Sequence, residues 1–189
     1  MADIEVRNGK LVRPGFYRAP DGSGVAYANQ IRSSGNECSF CPENFEAHDV
    51  KVLEEIGSAA FKFYVVLARP AYAHFDAQEV VGHRLLVPEA HVQRLRDLGD
   101  KALSAHDDYI FEQEELYEQR ADGVALQSYT RSPTNPSKSI WHLHTHLLDL
   151  SPNPLRSSTY DSERGVTDLQ FGQLTPEQVA ALVASRQTS

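Results

Sequence analysis

Cysteine is scarce in this chain: two residues in 189, standing three apart as Cys38-Ser39-Phe40-Cys41. So few exclude a disulfide scaffold and leave a metal-binding pair, a redox pair or two unconnected thiols. Long apolar runs are missing as well. None approaches the roughly 18 residues that a membrane span requires, so no membrane partner is expected. Positive charge is in the minority, with 18 Lys and Arg against 26 Asp and Glu and a net charge of −8. That balance argues against generic nucleic-acid binding, which needs a basic footprint to displace counterions. Any anionic ligand must then be held by a few local donors. The opening Met1-Ala2-Asp3-Ile4-Glu5 carries no basic stretch followed by an apolar one, so no secretory signal is expected and the default address is the cytoplasm. Internal repeats and low-complexity segments are absent.

What is present reads as an ordinary globular chain, 41% hydrophobic and 23% charged, of a length that suits one core with a modest extra segment. Residues 1–37 scatter Gly, Pro and Asn among short alternating pieces and are expected to form an irregular lead-in with room for one edge strand. From residue 50 the pattern sharpens. Residues 50–56 and 61–68, separated at Gly57-Ser58 and rich in aromatic and β-branched side chains, predict a hairpin closed by Pro70, and residues 82–88 predict a third strand ended by Pro88.

Leu95, Leu98, Ala102, Ala105, Tyr109 and Leu116 recur at three- and four-residue intervals, widened by Leu103, Ile110 and Tyr117. This predicts one long amphipathic helix with Gly123 as its stop. Residues 124–130 alternate as a strand, 132–137 form a turn-rich loop, and 140–150 read as another strand. Near the end, Thr175-Pro176-Glu177-Gln178 offers a capping threonine, proline at the first helical position and a glutamine three after the cap. A short helix burying Val179, Leu182 and Val183 is expected there. Strands and helices that do not alternate one for one predict an α+β fold with a mainly antiparallel sheet of about five strands.

The segment Ile140-Trp141-His142-Leu143-His144-Thr145-His146-Leu147-Leu148 carries the chemistry. On a strand, a period of two puts His142, His144 and His146 on one face and Leu143, Thr145 and Leu147 on the other. On a helix, residues two apart diverge by about 200° and the rings would scatter. Three imidazoles on one face could share a metal ion. They could also act on phosphorus, since neutral imidazole is abundant near pH 7 and attacks phosphate esters. A surface strand that merely carries three histidines is the bland alternative.

The pattern resembles the histidine-triad superfamily, whose signature is His-φ-His-φ-His-φ-φ with φ apolar; Thr145 is the one departure. Residues Gly82-His83-Arg84-Leu85-Leu86-Val87-Pro88-Glu89-Ala90-His91 are similar to that superfamily's Gly-His-x-Leu-Val-x-Pro-x-x-His strand and turn, and the two motifs occur in its order. The likeness covers roughly residues 38–150, which it marks as a histidine-triad-like domain, with 1–37 as lead-in and 151–189 as a C-terminal extension ending in the short helix.

The resemblance implies that His144 is the nucleophile, oriented by a neighbouring backbone carbonyl, that His146 binds phosphate oxygens, and that Ser139 donates toward the leaving group. Where the family usually has Gly-Gln before that serine, this chain has Ser137-Lys138, and Lys138 reads either as a replacement donor or as a solvated loop residue. The branch that includes galactose-1-phosphate uridylyltransferase holds a structural zinc between two cysteines, the histidine after the Val-x-Pro turn and the first triad histidine; these map to Cys38, Cys41, His91 and His142. By family position, Phe40 and residues 63–68 would wall a base pocket. Asp76 is the nearest acid for a ribose, or else a turn-capping aspartate. His83 reads as a structural histidine bonded to a backbone group, while His48, His74 and His106 receive no role.

The function that follows is a nucleotide hydrolase. It would cleave a nucleoside phosphoramidate or dinucleoside polyphosphate through a nucleotidyl-histidine and release a nucleoside monophosphate. The uridylyltransferase branch has glutamine in place of His146, which favours water over a sugar phosphate as acceptor. A transferase, a phosphorylase, and a zinc-stabilised module with an idle triad are the alternatives. Expected partners are a small nucleotide and a second copy of the chain, since the family often forms two-fold dimers.

Overall fold

The computed structural model describes residues 5–7, 10–18, 24–30, 38–68, 71–134, 140–161, 163 and 166–186. Its first strands are β1 (Glu5–Arg7), β2 (Lys10–Arg18) and β3 (Gly24–Gln30), with β2 antiparallel to β1 and β3. An irregular lead-in with one edge strand is therefore corrected to three paired strands. The reason is non-local: β2 also lies parallel to β10 (Val166–Phe171), aligning Thr167 with Tyr17 at the far end of the chain. A strand fixed by so distant a partner leaves little trace in local periodicity.

The expected hairpin forms as β4 (Val52–Ser58) and β5 (Phe61–Leu67). A two-residue strand, β6 (His74–Phe75), turns through Asp76 and Ala77 into β7 (Gln78–Pro88). Both turn residues have positive φ, 48° and 59°, as the mirror-image hairpin turn demands. Residues Leu95–Asp97 form one turn of 3-10 helix, and α1 begins only at Asp100, capped by Gly99, and ends at Glu118. Leu95 and Leu98 therefore precede the helix that their spacing had placed them on. Gly123, at φ 73°, does not stop the helix either; it lies beyond Gln119, the residue that closes it.

Strand β8 (Ala125–Thr130) pairs with β9 (Thr145–Asp161), and α2 (Pro176–Arg186) follows β10. The capping motif of α2 is realised in full: Gln178 N–H donates to Thr175 Oγ1 at 3.3 Å, and Thr175 N–H donates to Gln178 Oε1 at 2.9 Å. Val179, Leu182 and Val183 are half-buried rather than buried. With one long helix, one short C-terminal helix and a mainly antiparallel sheet, the fold is α+β. The sheet has ten strands among the described residues rather than about five, because the N-terminal strands and β10 join it in the order β1-β2-β10-β9-β7-β5-β4, with β3, β6 and β8 alongside β2, β7 and β9.

Strand β9 organises the molecule. Its first half pairs with β7 and β8, its second half with β10, so it runs unbroken through the boundary drawn at residue 150 from sequence. On β5, period-two alternation divides two cores. Phe63 and Val65 pack with Leu86, Leu143, Leu147 and the α1 residues Tyr109 and Ile110, whereas Tyr64, Val66 and Ala68 pack with Cys38, Phe40, Cys41, Leu85 and Val87. Of the stretch 63–68 assigned to a base pocket, only the second set shares the side of Phe40. None of the helices among the described residues is long and apolar enough to cross a membrane.

Candidate active site and metal centre

Strand pairing explains where the triad sits. The ladder between β7 and β9 runs through Leu85↔His146 to Leu86↔Thr145. Continuing that register would bring Leu143 opposite Pro88, which has no N–H for the Leu143 carbonyl and whose own carbonyl accepts from His142 Nε2. Leu143 N–H reaches Val92 O at 2.6 Å, and regular strand begins at Thr145 rather than Ile140. His142 and His144 therefore lie on an irregular approach to β9, a correction to the strand expected over 140–150. The expected alternation survives: Leu143 and Leu147 enter the α1-side core, while Phe40 meets His142 and His144 edge-on from the other side, with centroids 6.4 and 5.1 Å away. His142, His144 and His146 are 0, 7 and 6% exposed.

His142 has two jobs. Its Nε2 lies 2.7 Å from Pro88 O, so that nitrogen carries the proton and Nδ1 keeps a lone pair. Nδ1 is 3.6 Å from both Cys38 Sγ and Cys41 Sγ, and His91 Nδ1 is 3.1 Å from Cys41 Sγ. All four ligand atoms fall within 4.8 Å of one another. A tetrahedral zinc with ordinary bond lengths separates a sulfur from an imidazole nitrogen by about 3.5 Å, so the donor set fits such an ion. Burial, followed by the adjacent Cys38 thiol, pushes the Cys41 thiol up to about 12, and a cation among the donors is what would hold both sulfurs as thiolates. The turn that carries the cysteines is closed by Cys41 N–H on Cys38 O at 3.1 Å and by Asn44 Nδ2 on the same carbonyl at 2.9 Å. The same turn presents Phe40 to the triad.

The backbone carbonyl of His142 accepts from His144 Nδ1 at 2.9 Å. The proton of neutral His144 is thereby fixed on Nδ1, and Nε2 is left with its lone pair. His146 is in the opposite state. Tyr72 N–H, which can only donate, reaches His83 Nδ1 at 3.1 Å, so the proton of His83 sits on Nε2; that nitrogen is 3.0 Å from His146 Nδ1, which must accept. Neutral His146 then carries its proton on Nε2. The ring stacks on Tyr129, parallel at 4.5 Å, and on Tyr72 at 5.6 Å, whose hydroxyls meet at 3.2 Å. Adjacent imidazoles 5.0 Å apart thus offer one nucleophilic nitrogen and one donor.

His83 was expected to bond a backbone group, and it does. Burial, and then the Arg131 cation, lower its pKa to about 4, so it stays neutral at pH 7. Because the folded value is depressed, this contribution to stability is complete above about pH 6.5 and is lost as pH falls through about 4. Between pH 7 and 5 it amounts to about 2 kcal/mol. Urea unfolding at the two pH values checks this, with His83→Asn, which has no proton to refuse, showing the shallower fall.

Thr145, the departure from the motif, has a buried partner. His106 on α1 places Nε2 2.7 Å from Thr145 Oγ1, and Asp107 Oδ1 accepts from His106 Nδ1 at 2.8 Å. The polar residue in the triad is therefore matched by a polar residue beneath it. Thr145→Val is expected to cost about 1–3 kcal/mol in urea unfolding, because the imidazole nitrogen loses its donor. His106→Leu with Thr145→Val should cost less than the sum of the two single changes.

Asp76 is an exposed turn residue, the turn-forming alternative weighed for it. Ser139 and Lys138 lie outside the described residues. The residues that sequence reasoning missed are Tyr72, Tyr129, Arg131 and His106. Tyr129 pairs with His146 across β8 and β9, and only that register, invisible locally, brings it to the site.

No family model matches the sequence, and no curated protein matches it. Among solved structures, a hydrolase of the HIT family from Clostridium thermocellum is similar, with 15% identity, a TM-score of 0.41, and coverage of 61% of this chain and 92% of that one.

Proposed function

We propose that this chain is a nucleotide hydrolase of the histidine-triad type, cleaving a nucleoside phosphoramidate or a dinucleoside polyphosphate through a nucleotidyl-His144 intermediate. The observation that carries the reading is the bond from His144 Nδ1–H to the carbonyl of His142, which fixes the proton on Nδ1 and makes Nε2 the unprotonated nitrogen, beside the ring of His146. In the first step Nε2 forms a bond to the α-phosphorus while the bond to the leaving group breaks and its electron pair leaves with that group. Water then attacks phosphorus, the N–P bond breaks, and a nucleoside monophosphate is released. His146 Nε2–H donates to the phosphoryl oxygens as charge builds on them, and Ser139 and Lys138 are assigned to the leaving-group side.

Cys38, Cys41, His91 and His142 would hold a structural zinc, whose contribution is to fix the cysteine turn and the backbone of His142. Phe40 would pack on the nucleotide, and a second copy of the chain would complete a two-fold dimer. An idle binding module has Thr145 and the missing Gly-Gln in its favour; Thr145 has a structural role as the partner of His106, and Ser137-Lys138, which stand in place of Gly-Gln, lie outside the described residues.

The test is turnover in 18O-labelled water over a panel of purine and pyrimidine substrates. A nucleoside monophosphate carrying one 18O is expected. Unlabelled nucleoside diphosphate made only with added phosphate would mark a phosphorylase, and no product from any substrate would mark a binder.

A further inference from the structure

Arg131 follows the last residue of β8, whose ladder with β9 runs through Tyr129↔His146 to Thr130↔Thr145. Period two puts its side chain on the face that Tyr129 shares with His146. The guanidinium lies over the rings of Tyr72 and Tyr129, with its carbon 5.8 and 5.9 Å from their centroids, and it donates through Nη2 to Tyr72 Oη. Those two rings in turn stack on His146. A chain with net charge −8 has thus fixed a permanent cation against the two tyrosines that stack on His146, the ring next to His144.

We propose that Arg131 is a specificity-determining residue that binds the phosphate beyond the scissile bond, so that the enzyme prefers an anionic phosphate leaving group over a neutral amine. The inference rests on the hydrolase reading above and decides between the two substrate classes that reading leaves open. When Nε2 of His144 bonds to the α-phosphorus, the bridging P–O bond breaks and the oxygen keeps the electron pair, becoming a terminal oxygen of the departing phosphate. A guanidinium offers that growing charge paired donors and needs no proton transfer. An amine leaving group departs only after gaining a proton, and a cation beside it brings no benefit.

The test compares two substrates with the same nucleoside, a 5′-phosphoramidate and a dinucleoside tetraphosphate, on wild type, Arg131→Gln and Arg131→Lys. For Arg131→Gln, kcat/KM on the tetraphosphate is expected to fall about 100-fold, as on removal of one charge-stabilising donor, with the phosphoramidate changed by less than about threefold. Arg131→Lys keeps the charge and is expected to recover part of the loss. Tripolyphosphate binding by calorimetry is the second arm. Wild type is expected to bind it, more weakly as salt rises, and Arg131→Gln to bind at least about tenfold more weakly. Equal losses on both substrates, an unchanged ratio, or equal tripolyphosphate binding overturns the proposal. If neither substrate turns over in the wild type, the hydrolase reading fails, and the tripolyphosphate arm still decides whether Arg131 is an anion site.

Discussion

Replacing His144 by alanine is expected to lower turnover by at least about 10⁴-fold, the scale on which removal of a nucleophile acts. Substrate affinity should change little, because the phosphate is held by donors other than the lone pair that is removed. The size of the effect follows from the local geometry. The nearby imidazoles cannot substitute: His142 turns its lone pair toward the cysteine sulfurs, and His146 has its lone pair committed to His83. His146→Ala removes a donor rather than the attacking atom and should cost only about 10²–10³-fold. Steady-state kinetics on the two variants, with unfolding midpoints to show that the fold is intact, checks the ranking. A His144→Ala enzyme within tenfold of wild type would remove His144 from the mechanism.

Stripping the metal is expected to have the second largest effect, on stability and activity together. Cys38 and Cys41 reach His142 and His91 across 104 and 50 residues of chain, so an ion among them would tie the cysteine turn to the residue two before His144. Without it, the buried Cys41 sulfur is left as a protonated thiol, and the carbonyl that orients His144 loses its anchor. Loss of a structural metal removes its binding free energy from the fold, and a net change of about 4 kcal/mol lowers Tm by about 10 °C in a chain of this size. Chelation, and separately Cys41→Ser, should therefore lower Tm by about that much or more and reduce turnover in proportion to the metal lost. Re-addition of zinc after chelation should restore both. Full activity in a metal-free, folded protein would show that the ion does not position His144.

Much of this site was legible because its signals are local. Three histidines two apart can share a face only on extended chain, and Thr175 with Gln178 spells a helix start without reference to anything else. The four metal donors were found by likeness to a known arrangement, since nothing in the spacing of Cys41 and His91 says that they meet. What stayed hidden depends on register. Tyr129 reaches His146 because β8 pairs with β9 at one offset, Tyr72 because its N–H donates to His83 on β7, and Arg131 lies against those two rings, while His106 reaches Thr145 because α1 lies across the opposite face. The apolar spacing from Leu95 misled because Leu95 and Leu98 serve the same core from a 3-10 turn and a cap, so periodicity continued where the helix did not.

The most direct test is a rapid-quench single turnover read by peptide mass spectrometry under alkaline conditions, which preserve a nitrogen–phosphorus bond. One nucleoside monophosphate attached to the peptide containing His144, formed and consumed at the rate of turnover, is the predicted result. Product released with no adduct on that peptide, or an adduct on a different residue, would contradict it.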